Sequence, residues 1–127
     1  MTVDERVDDL LEKLLDASDA LTVYTRLRKA KGYMAISEND RLRDAFFELA
    51  KEIRQHDDAL NALANPEARA AWARAGEALS YAAVCLLSGR HDCPSYIAVN
   101  LHQLERARQA LATSARFLKA HAPLAEA

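Results

Sequence analysis

Residues 71–87 read AWARAGEALSYAAVCLL, and Arg74, Glu77 and Ser80 are the only clearly polar side chains among them. A helix that is apolar on nearly every side rests only where neighbours cover most of its circumference, and alanines with Gly76 let those neighbours approach closely. The stretch therefore reads as the central helix, with the rest of the chain as its covering.

Working outward, Asn65 followed by Pro66 is a good initiation signal for this helix, since Asn caps and Pro suits the first helical position. Ser88 and Gly89 close it. Upstream, Ser37 with Asp40 looks like the cap of a second helix, in which Leu42, Ala45, Phe46, Leu49, Ile53, His56, Leu60 and Leu63 recur at helical spacing. Further back, Thr2 and Glu5 fit a capping box, and Val7, Leu10, Leu14, Ala17, Leu21 and Tyr24 form the stripe of a long first helix. Its acids come early (Asp4, Glu5, Asp8, Asp9, Glu12) and its bases late (Arg26, Arg28, Lys29, Lys31), as the helix dipole favours, and Gly32 stops it. Downstream, Pro94 suits a first turn, Ile97, Leu101, Leu104, Ala107, Leu111, Ala115 and Leu118 carry a last helix, and Pro123 frays it.

The expectation is one all-α domain over residues 1–127, an antiparallel up-down-up-down four-helix bundle with helices at about 3–31, 38–63, 66–88 and 94–121, because short connections favour antiparallel neighbours. Composition agrees: 50% hydrophobic, 28% charged and only 6% aromatic residues mean an Ala- and Leu-rich apolar content, and three Gly with three Pro leave few turns. A net charge of −2 supplies no overall field for nucleic acid or an acidic membrane. Two cysteines make no disulfide framework, and the start MTVDERVDD carries no signal peptide, so the cytoplasm is the expected compartment. The longest apolar run, residues 81–87, falls well short of the roughly 20 residues that span a bilayer.

Antiparallel threading places the corner between the first two helices beside the corner between the last two. That end collects Arg26, Arg28, Lys29, Lys31, Arg41, Arg43, Arg90 and His91, with Tyr33 and Tyr96 nearby, a patch suited to a phosphate, a nucleic-acid backbone or an acidic partner surface. Dipole complementarity with ordinary solvated arginines explains the same residues, and Glu38, Asp40 and Asp92 dilute the patch. Metal ligation would draw on His91, Cys93, Cys85 and His102, whose spacing fits no zinc pattern. Cys85 reads instead as a small buried hydrophobe, and His102 with Glu105 as a solvent-facing pair. His56 is the one histidine on a core stripe; Asp57 and Asp58 beside it favour a wet helix end over a base in a cavity. Adjacent acids such as Asp8 and Asp9 point about 100° apart on a helix and make no acid–base pair. No Gly-rich phosphate loop, nucleophile elbow or C-x-x-C is present, and no cofactor is expected.

Arg116 and His121, in RFLKAH, have the Arg-x4-His spacing that resembles the late motif of HEPN ribonucleases, which are four-helix domains of about this size. Phe117 stands where that family usually has a small polar residue. The resemblance implies an RNA-cleaving reading in which Arg116 stabilises the scissile phosphate and His121 serves as acid or base.

The leading expectation is nevertheless a non-enzymatic helical interaction or adaptor module that binds a protein partner and itself. Broad apolar stripes carry it: Leu11, Leu15, Val23, Leu27 and Phe117 exceed what one neighbour per side needs and point to a homodimer. A HEPN-like ribonuclease and a small helical subunit that binds nucleic acid through its basic end are the alternatives.

Overall fold

The computed structural model describes residues 3–87, 90–93 and 96–121, with the backbone alone at 3, 4, 90–93 and 96. Thr2, Ser88, Gly89, Pro94 and Pro123, to which the sequence assigns capping or turn roles, lie outside the described residues. The chain is all-α with a small sheet. In order it forms α1 (Val3–Lys31), β1 (Met34–Ala35), α2 (Ile36–Gln55), α3 (Asp57–Asn61), α4 (Pro66–Leu87), β2 (Arg90–Cys93), β3 (Tyr96–Ala98) and α5 (Leu101–Ala120).

Each long helix packs against two others: α4 against α2 and α5, α1 against α5 and, more loosely, α2. Leu10, Leu14, Leu21 and Tyr24 from α1, Phe46, Leu49 and Ile53 from α2, and Leu104, Leu111 and Leu118 from α5 meet Ala71, Trp72, Leu79, Ala82 and Leu86 of α4 in one buried cluster. Burying each large aliphatic or aromatic side chain stabilises the fold by about 1.5–3 kcal/mol, so this cluster is the main favourable term. Gly32 ends α1 in the left-handed region at φ +85°, where its N–H donates to Arg28 O at 2.8 Å. Asn65 caps α4, its Oδ1 accepting from Glu67 N at 2.9 Å.

Three expectations are corrected. The predicted second helix, 38–63, is two: α2 stops at Gln55, His56 leaves helical geometry at φ −105° and ψ 22°, and α3 restarts at Asp57 with its acids in the first turn. Its start is also earlier. Ala35, not Ser37, is the N-cap residue of α2, because pairing with Tyr96 already holds Ala35 extended. The predicted last helix does not begin at 94: the order β1-β3-β2 makes an antiparallel three-stranded sheet, with Met34 opposite Ile97 and a bulge between His91 and Cys93. β-Branched Ile97 and Val99 point into the core with Ala98 half-buried between them, a period of two that belongs to a strand. The cap of α5 is Asn100, whose side chain accepts from Gln103 N at 3.0 Å.

Candidate interaction surface

Neighbours cover most of α4, as the sequence implies, and leave one stripe of it open. Tyr81 is 42%, Val84 50% and Leu87 59% exposed, three apolar residues at spacings of three that share one stripe. On α2, Phe47 is 40% exposed and precedes Ala50 and Arg54 by three and seven residues, so it shares their side. Between these helices runs an open groove of about 530 Å³, floored by Ala50, Ile53, Gly76 and Ser80 and flanked by Arg54 and Glu77. Tyr81 and Val84 line this channel, and Phe47 and Leu87 are exposed on the same two helices. Single exposed apolar residues are common, whereas an exposed pair at a groove, with two more on the helices that form it, is of the kind that marks a contact site.

A buried polar node holds this face at one end. Asn39, fully buried at the start of α2, accepts from Tyr24 Oη at 2.7 Å and donates through Nδ2 to Leu86 O at 3.0 Å and Asp40 Oδ1 at 3.2 Å. It satisfies a carbonyl in the last turn of α4 that the helix itself leaves without a donor. Burial pushes the Tyr24 phenol well above its ordinary range, so it stays a donor. Nothing in the sequence marks Asn39 for this role.

The basic end is assembled but partly committed to other work. Pairing of β1 with β3 brings the α1–α2 and α4–α5 corners together. Arg28 donates from Nε and Nη2 to Val99 O at 3.2 and 3.0 Å, tying the end of α1 to the segment before α5. Arg43 pairs with Asp40 at 3.1 Å and Asp44 at 3.0 Å. Arg26, Lys29, Lys31 and Arg41 are exposed, and Tyr33 is too. The side chains of Arg90, His91, Cys93 and Tyr96 lie outside the described residues.

Arg116 and His121 are both exposed, and each contacts a backbone carbonyl of its own helix. Five residues along a helix turn the second about 140° from the first. Arg116 Nε donates to Ala112 O at 3.4 Å; His121 Nδ1 lies 2.9 Å from Phe117 O and its ring stacks on Phe117 with centroids 4.1 Å apart. A carbonyl only accepts, so Nδ1 carries the proton. His56 makes the same contact, 2.9 Å from Glu52 O, as the half-buried C-cap of α2. Cys85 is buried, which pushes its thiol up, and His102 is exposed. Glu105 is not the solvent-facing partner of His102: it forks onto Arg108 at 2.9 and 3.0 Å, and Arg108 chiefly holds its carboxyl below the usual range, with Lys29 adding to the effect. Among the described residues no group of three His, Cys, Asp or Glu side chains converges as metal ligands would.

The sequence matches the protein family described as "Biofilm formation protein (YliH/bssR)" over residues 1–126. Relatives named "Biofilm regulator BssR" from Escherichia coli strain K12, Escherichia coli O157:H7 and Shigella flexneri are each 46% identical over 127 residues, covering all of this chain and all of the relative. No solved structure matches the chain.

Proposed function

This chain belongs to the YliH/BssR biofilm formation protein family, and from that premise we propose that it regulates biofilm formation without catalysis, as a helical adaptor that binds a protein partner and a second copy of itself. The observation that carries the reading is the α2–α4 pair, where Tyr81 and Val84 stand exposed at one groove and Phe47 and Leu87 are exposed on the same two helices. A partner offering an apolar ridge would bury them with no change in the chain's own packing.

The framework is read as an up-down-up-down bundle of α1, α2, α4 and α5. Supporting this, Asn39 at the start of α2 meets Leu86 at the end of α4, and Arg28 at the end of α1 meets the residue just before Asn100, the cap of α5. Such a frame holds α2 and α4 rigidly side by side. We place the protein in the cytoplasm; no described helix is long and apolar enough to cross a membrane.

The test replaces Tyr81 and Val84 with Glu and returns the variant to cells lacking the gene. Surface changes of this kind alter stability by about 0.5 kcal/mol or less, so the melting curve should hold while control of biofilm mass is lost. A folded variant that regulates as the parent does would sink the reading. Labelled RNA incubated with the protein at low and high salt should be neither held nor cut. Salt-sensitive binding lost on reversing Arg26, Arg28 and Arg43, or cleavage lost in His121→Ala, would replace the adaptor by one of the nucleic-acid readings.

A further inference from the structure

The α1–α2 face carries two open hollows end to end. One, of about 430 Å³, lies among Lys13, Ala17, Phe46 and Leu49; the other, about 320 Å³, lies among Val23, Leu27, Met34 and Arg41. Ala20, Leu42 and Ala45 line both and make the hollows one continuous groove. Of the apolar residues that the sequence leaves over for a dimer, Leu11, Leu15 and Phe117 are half-buried against the core. Val23 and Leu27 remain 52% and 40% exposed, both at the second hollow. Large apolar side chains therefore stand at one end of the groove, and the roomier hollow lies at the other.

Charge is divided the same way. Asp9, Glu12, Asp16, Glu48 and Glu52 border the end with the roomier hollow, where Lys13 already bridges Asp9 at 3.2 Å and Glu52 at 2.7 Å. Arg41 lines the other end with Glu38, and Lys31, one turn beyond Leu27 on the same side of α1, extends it. The face is acidic at one end and basic at the other.

Both asymmetries are met by one occupant. We propose that a second copy of this chain docks here antiparallel, its α1–α2 face on this one, about a two-fold axis beside Ala20. The inference rests on the self-association in the reading above and assigns it a surface. Rotation about Ala20 exchanges positions equally spaced on either side of it. Val23 then comes level with Ala17 of the second copy, and Lys31 with its Asp9. Lys13 bonds to Glu52 and Tyr24 to Asn39, so α2 runs antiparallel to α1, and the same rotation sets Arg41 level with Glu48 of the second copy. A two-fold contact needs such self-complementarity, and here shape and charge supply it separately. From Asp9 to Lys31 the strip is about 33 Å long, at 1.5 Å per residue. Two helices make it about 20 Å wide, hence roughly 1,300 Å² buried over both copies, within the range of specific interfaces. The α2–α4 face remains outward on each copy.

The test uses sedimentation of the full chain at micromolar concentration together with a cross-link. The parent should sediment as a dimer, and Val23→Glu with Leu27→Glu as a monomer with an unchanged helical signal. Arg41→Glu or Glu48→Arg alone should raise the dimer dissociation constant roughly tenfold, since each reversed contact occurs twice, and the two together should restore it. Ala20→Cys, placed on the axis, should form an intersubunit disulfide under mild oxidation that the parent, with its own cysteines, does not. A parent that is monomeric overturns both self-association and this assignment. A dimer that keeps its affinity in Val23→Glu with Leu27→Glu, or that fails to cross-link through Cys at position 20, overturns the assignment and leaves self-association standing.

Discussion

Asn39 has no exposed surface, yet three elements meet at its amide: Tyr24 of α1 donates to it, and it donates to Leu86 O of α4 from its own place in α2. Removing one partner of a buried hydrogen bond leaves the other unsatisfied, so Tyr24→Phe should cost about 1–3 kcal/mol at neutral pH. The node also has a pH signature. Tyr24 has its folded-state pKa raised by burial, while the unfolded phenol releases its proton near its ordinary value of about 10. Above that pH the folded chain holds a proton that the unfolded one has lost, so stability falls as pH rises; below it the contribution is complete. Urea midpoints between about pH 8 and 11.5 should thus drop more steeply for the parent than for Tyr24→Phe, and parallel curves would mean that Tyr24 ionises freely in the folded state. At this scale the sequence is a poor guide to polar residues. Asn39, between the cap candidates Ser37 and Asp40, carries no signal of its own, because the partner that draws its amide inward lies 47 residues away. Apolar positions are easier, and the stripe of Leu10, Leu14, Leu21 and Tyr24 is buried as its spacing implies.

Among the elements, α4 has buried residues on faces toward both α2 and α5 and an exposed stripe on the remaining one. Leu79 is fully buried, so Leu79→Ala should cost about 2–5 kcal/mol, whereas Ala82, equally enclosed, has no room for a larger side chain and Ala82→Leu should cost about 1–3 kcal/mol by overpacking. Calorimetric melting of the two variants checks both, and an unmoved curve for Leu79→Ala would show that α4 is not central. Why α4 was legible and the segment after it was not is a matter of length. The residues from Pro66 to Leu87 span six turns of a helix, enough for a period of 3.6 to declare itself. The strands have two to four residues each, too few to establish a period of two against a neighbouring helix. Pro94 then imitates a helix start, although Asn100 with Gln103 three residues later was available as the better capping signal. The exposed apolar stripe is invisible in sequence for a related reason: an all-round apolar helix says that neighbours are needed, not which side they leave open.

For the whole molecule, uneven packing sets an order of opening. The α4–α5 and α2–α4 pairs are closely joined, the α1–α2 pair is loosest and carries a continuous groove, and α3 is a short helix of five residues. Local opening follows the density of buried contacts, so backbone amides at residues 75–83 should exchange with solvent only through global unfolding, while those at 57–61 exchange through cheap local fraying. The first half of that order follows from residues 71–87 alone; the second does not, since the sequence reads 38–63 as one helix and conceals the break at His56. The candidate surface divides likewise: its apolar residues are legible one by one, and that Tyr81 and Val84 line a groove depends on how α2 and α4 are paired across the chain. Exchange measured by mass spectrometry at two protein concentrations makes the order testable. The 75–83 peptide should be protected most and 57–61 least. If the second copy covers the α1–α2 groove, peptides from α1 should gain protection as concentration rises while 57–61 stays fast. Equal exchange at 57–61 and 75–83 would contradict a central α4, because both segments would then open in one cooperative step.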